Sequence, residues 1–157
     1  MATMLRYAGC GDRDYRRRPI PAYPRGCWEF ELVVEGAIAP VLPGRGRPLL
    51  RRAPWLWAIP GDMAHGWTGD GAPARVAVLH LASAPPLFPS SGIVDGRIPA
   101  AVATAVAALV ERVVADRIHP TTHAAVRAAQ AVAAMLAAAA ALVPERPLPA
   151  TPAGAAG

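Results

Sequence analysis

Near residue 96 the chain changes character, and that change limits its architecture more than any other feature. Up to that point prolines and glycines break the sequence into short apolar runs; beyond it alanine dominates and larger apolar residues recur every three or four positions. The first pattern suits short strands and the second suits helices. Strands followed by helices define an α+β chain, here mainly β. With 157 residues and 54% hydrophobic composition, one domain with a real core is expected, not a disordered polymer.

In the front part, "WEFELVVEG" at 28–36 is the clearest strand. Trp28, Phe30, Leu32 and Val34 alternate with Glu29, Glu31, Val33 and Glu35, the period of two of a strand with one wet face, and Gly36 closes it. The turn residues "PGRG" at 43–46 predict a hairpin between "AIAPVL" and "RPLLRR". "WLWAI" at 55–59 reads as a strand ended by Pro60-Gly61. "RVAVLHLA" at 75–82 reads as another, with Val76, Val78 and His80 on one face. Strands at this spacing predict a small antiparallel barrel or sandwich over residues 19–96, preceded by a basic arm at 1–18.

In the back part, Ile98, Val102, Val106, Leu109, Val110 and Val113 predict an amphipathic helix from Pro99 to about His119. Pro120 ends it. Thr121 or Thr122 then caps a second helix running through Val126, Val132, Met135, Leu136 and Val143, which Pro144 terminates. Residues 97–143 thus form an antiparallel helix pair, whose apolar stripe serves either a second copy of the chain or its own barrel. The tail at 144–157 reads as a linker rich in proline and alanine.

The net charge of +5 invites a nucleic-acid reading, but every basic residue is arginine and the excess lies in the first 52 residues, chiefly at 16–18 and 51–52. Such a cluster supplies electrostatics without a recognition helix, so direct DNA binding by this chain is not expected. Cys10 and Cys27 are too few for a disulfide framework, and the N-terminus lacks the apolar stretch of a secretory signal. A cytoplasmic protein without a membrane span is expected; the run from Ala131 to Val143 falls short of the ~20 residues a span requires.

Three segments together resemble the N-terminal half of AraC-type transcription regulators. "WEFELVVEG" resembles the first conserved strand of its cupin barrel, "PGDMAHGW" at 60–67 the second cupin motif, and "VAVLHL" at 76–81 the strand that follows. The resemblance covers roughly residues 19–143. It implies a cupin-like double-stranded β-helix, or jelly-roll, followed by a dimerising helix pair. The second motif is matched in outline: Pro60 and His65 stand in place, while Asp62 and Pro54 replace its two glycines. Aspartate tolerates a left-handed backbone better than most residues, which would preserve the turn.

Metal-binding cupins carry two histidines one residue apart and a glutamate four beyond. Aligning that glutamate on Glu31 places Arg25 and Cys27 at the histidine positions, so the metal pair is missing. Zinc held by Cys27, Glu31 and His65 is chemically conceivable, but no metal or cofactor is expected. The candidate ligand contacts are His65, Trp67, Trp57, Glu31, His80 and Arg25. His65 and Trp67 follow a turn at the expected barrel mouth, and Trp57 offers a wall for stacking a sugar or aromatic ring. Glu31 reads equally as an exposed glutamate and His80 as a core histidine. No serine, Walker loop or dinucleotide motif supports catalysis.

The resemblance implies a non-enzymatic module that senses a small effector, a sugar or small organic acid, and dimerises through residues 97–143, without a DNA-binding domain of its own. The alternative is a small stand-alone metal-dependent cupin enzyme using His65, Glu31 and a further ligand.

Overall fold

The structure, a computed structural model, describes residues 4–145. The tail expected at 144–157 lies almost wholly outside that range. Nine strands pair antiparallel throughout: β1 (Leu5–Arg13), β2 (Ile20–Tyr23), β3 (Trp28–Glu35), β4 (Ala37–Val41), β5 (Arg51–Arg52), β6 (Trp55–Ile59), β7 (His65–Gly69), β8 (Ala74–Leu81) and β9 (Val94–Arg97). Two helices follow, α1 (Ala100–Ile118) and α2 (Ala124–Ala140). One sheet runs β1-β8-β3-β6-β9 and the other β2-β7-β4-β5. This is the expected mainly antiparallel, cupin-like architecture closed by a C-terminal helix pair.

The basic arm expected at 1–18 contains a full strand of the larger sheet. β1 pairs with β8 along its length, with Ala8 opposite Leu79 and Gly9 opposite Val78. Its small residues suit a buried position that charge counting overlooks.

The alternation in β3 also resolves differently from a strand with one wet face, since both of its faces are covered. Phe30 and Leu32 join Leu56, Ala58, Leu79 and Leu81 in a core shared with Val106 and Val110 of α1 and Met135 of α2. The helices therefore take the apolar face of the larger sheet. The opposite face looks into the space between the sheets, where Val33, Trp57, Ile59, Val76 and Val78 meet Ile38 and Trp67 of the smaller sheet. Glu29 and Glu31 lie on this inner face, each at most 2% exposed.

The α1–α2 turn also differs from expectation. Thr121 donates to Asp116 Oδ1 at 3.1 Å, and the residue preceding α2 is His123, which makes no side-chain cap. Arg127 donates to the same Asp116 oxygen at 2.8 Å. A buried carboxylate at the end of α1 thereby recruits both the turn and α2.

Candidate active site

β3 places Glu29 and Glu31 on one face because residues two apart along a strand share a side. Register across the larger sheet sets His80 opposite Glu29 and Val78 opposite Glu31 on β8, with Ile59 and Trp57 opposite them on β6. β7 contributes His65 and Trp67, the β2–β3 connection contributes Arg25, and the segment after β1 contributes Tyr15. Gly66 lets β2 close over β7, because a Cβ there would collide with the Ile20 carbonyl. The preceding turn is closed by Met63 N–H donating to the Pro60 carbonyl at 3.2 Å. Asp62 is not left-handed in it; among the described residues only glycines have positive φ.

Glu29 is the hub. Its Oε1 accepts from Trp67 Nε1 at 2.7 Å. Its Oε2 faces His65 Nε2 at 3.0 Å, His80 Nε2 at 3.4 Å and the Nε of Arg25. His65 Nδ1 lies 2.8 Å from the Met63 carbonyl. Both His65 nitrogens thus face oxygens, and satisfying both takes either an imidazolium or a proton on Glu29. Burial acts to raise Glu29, but the hydrogen bonds of His65 and His80 and the charges of His65 and Arg25 outweigh it. Glu29 is held well below the usual carboxylate range.

Glu31 goes the other way. Burial, and then the charge of Glu29, push it well above the carboxylate range, although the Tyr15 hydroxyl donates to its Oε1 at 2.9 Å. Tyr15 in turn is raised by burial and by Glu31. Two carboxyls on one strand face are therefore pushed in opposite directions, Glu29 toward the anion and Glu31 toward the protonated acid.

A cavity of about 180 Å³ opens onto this pair, lined among others by Tyr7, Tyr15, Arg25, Glu29, Glu31 and His80. Of the expected ligand contacts, Glu31, His80 and Arg25 meet here. His65 and Trp67 are fully buried behind Glu29, not at a barrel mouth, and they position its carboxylate. Trp57 lines a separate cavity with Arg45, Arg51 and Asp95. Glu29, which the sequence reading left to solvent, is central. The available signal was the presence of His80 and His65 inside apolar strands, since a buried imidazole asks for a partner.

The residues do not fit the metal that a cupin fold implies. Cys27 lines another cavity, with Gly61 and Phe88, and so does not join Glu31 and His65 in a zinc set. Among the described residues no group of three or more His, Cys, Asp or Glu side chains is arranged to hold a metal ion. The imidazole nitrogens near Glu29 are directed at its oxygen, and the cation already on that oxygen is Arg25.

No family model and no curated protein matches the chain. Among solved structures it is similar to the polyketide cyclase RemF from Streptomyces resistomycificus, at 29% identity over 43% of this chain and 49% of that one, with a TM-score of 0.37. It is also similar to a "putative mannose-6-phosphate isomerase" from Ralstonia eutropha JMP134, at 18% identity over 52% of this chain and 71% of that one, TM-score 0.35. The chain thus spans about half the length of the cyclase. Both neighbours are cupin-fold proteins with enzyme names, and on that finding the expectation that this chain is not an enzyme is corrected. At these scores neither alignment carries over a substrate, a reaction or a site residue.

Proposed function

We propose that the chain is a small cupin-type enzyme that moves a proton next to a carbonyl group. The observation that supports it is the geometry of Glu29 and Glu31, neighbours on one strand face that line one cavity with His80, their acidities pushed in opposite directions by burial and by their partners. His80 lines the same cavity with Nε2 held toward Glu29, which leaves Nδ1 to accept a proton from a substrate carbon. The negative charge that develops on the carbonyl oxygen is met by the acid form of Glu31, the form that its burial favours, as hydrogen-bond donor. Return of the proton from His80 to the same or a neighbouring carbon completes exchange or isomerisation. The cavity volume admits only a small substrate or the small end of a larger one.

Deuterium incorporation from solvent into small ketones and keto acids, followed by NMR, tests this reading. The wild type is expected to catalyse exchange, and His80→Ala to slow it about 10²- to 10⁴-fold. Saturable binding without exchange would overturn it and leave an effector pocket, the role that the AraC-type resemblance implies. Pairing of two copies through residues 97–143 belongs to the same proposal, supported by the exposed Val102, Ile118 and Val126 on the helix pair. No helix among the described residues is long and apolar enough to cross a membrane; a cytoplasmic setting fits the two free cysteines.

A further inference from the structure

We infer that Arg25, which lines this cavity together with Arg13, is the cation that stands at Glu29 in place of a metal ion, and that its uncommitted Nη2 receives an anionic oxygen of a small carboxylate ligand. The inference concerns the cavity of the proposed enzyme and deepens that reading, but it stands on binding and not on turnover.

The position is set by sequence and geometry together. Arg25 occupies a place where the motif comparison asks for a metal-binding histidine, and its side chain is 5% exposed. Nε pairs with Glu29 Oε2. Nη1 donates to the Tyr23 carbonyl, at 3.1 Å, and to the His65 carbonyl. The guanidinium lies 4.5 Å from the Tyr23 ring centroid. These contacts fix the plane of the fork and leave Nη2 as its uncommitted nitrogen. Nη2 takes no hydrogen bond among the described residues, and Arg25 lines the cavity.

A divalent ion would compete with this arrangement at every point. It would need the lone pairs of Glu29 Oε2, which already faces Arg25, His65 and His80. Placed on that oxygen it would sit beside a guanidinium that never loses its charge. Burial and the charge of Glu29 push Glu31 toward its protonated form, which is a poor ligand. An anion meets the opposite conditions: Arg25 with its uncommitted Nη2, Arg13 and the phenol-bearing Tyr7 and Tyr23 all line the cavity and offer donors. The volume of about 180 Å³ fits a ligand of a few heavy atoms, such as a short keto acid, better than a sugar phosphate.

The test combines metal analysis with calorimetry on the full chain. Protein purified without chelator is expected to hold no stoichiometric metal and to show no saturable zinc site. Acetate, pyruvate and acetoacetate serve as probes. At least one is expected to bind with an affinity that chelator leaves unchanged, weakened about 10- to 100-fold in Arg25→Gln. Arg25→Lys keeps a charge beside Glu29, serves as the second variant if glutamine does not fold, and is expected to weaken binding less. One equivalent of metal in the wild type, lost in His65→Ala, overturns the proposal. So does failure of all three probes to bind, or carboxylate affinity that both Arg25 variants leave unchanged. Deuterium exchange on neutral ketones without carboxylate binding would remove this inference and keep the enzyme; carboxylate binding without exchange would do the reverse.

Discussion

Glu29 and Glu31 give the folded chain opposite responses to pH. Glu31 is raised in the fold above its ordinary value of 4.5, so the unfolded chain releases this proton first and stability falls as pH climbs past the carboxylate range. Glu29 is lowered, so its contribution is complete above that range and disappears as pH falls toward its folded-state value. Glu31→Gln keeps an acceptor for the Tyr15 hydroxyl and removes the titration. The variant is expected to gain on the wild type by up to about 1.4 kcal/mol for each pH unit above the carboxylate range, until Glu31 ionises in the fold. Urea unfolding at several values between about pH 4 and 8 measures this, and parallel stability curves would show that Glu31 is not held neutral. His80, Glu31 and Arg25 were legible as polar residues in or beside apolar strands. Glu29 was not, because its partners sit on β7 and β8, and only pairing register brings His80 opposite it. Register is a property of the closed sheet and leaves little trace in one strand.

At the level of elements, the alternation of β3 had two solutions and the sequence alone favoured the wrong one. A strand with three glutamates on one side is ordinarily wet on that side. Here the helix pair takes the apolar side, and the barrel interior takes Glu29 and Glu31, while Glu35 near the strand end stays exposed. The strand itself, the hairpin of β4 and β5, and β6 at Trp55–Ile59 were all legible from turn residues and periodicity. β1 was not, since its tyrosine, cysteine and glycines carry no strong period. The α1–α2 turn offers a test at this scale. Asp116 Oδ2 already lacks a partner, and Arg127→Ala leaves the buried carboxylate with Thr121 on Oδ1 alone, so a loss of about 2 kcal/mol is expected in urea unfolding. A change within experimental scatter would mean that solvent reaches this carboxylate.

For the molecule as a whole, the larger sheet separates two interiors. Phe30 packs against Trp28 and Phe88 on the helix side, with ring centroids 6.2 and 5.7 Å away, while the next residue along the strand lines the cavity. Phe30→Ala is expected to cost about 3 to 5 kcal/mol in unfolding free energy. If the sheet is a true partition, carboxylate affinity of the remaining folded protein stays within about twofold, on the grounds that separated sites add independently. A loss of affinity in step with stability would show instead that the helices shape the cavity through the sheet.

That partition bears on how such a chain can change over generations. Substitutions between the larger sheet and the helices draw on a reserve of stability without entering the chamber. Substitutions on the inner face alter the chemistry and spend that reserve, because each new polar group there must find a partner out of water. The alanine-lined α2 leaves room for gradual enlargement on the stabilising side. A sheet with two dry faces therefore lets robustness and chemical novelty be explored on different sets of residues within a single short strand.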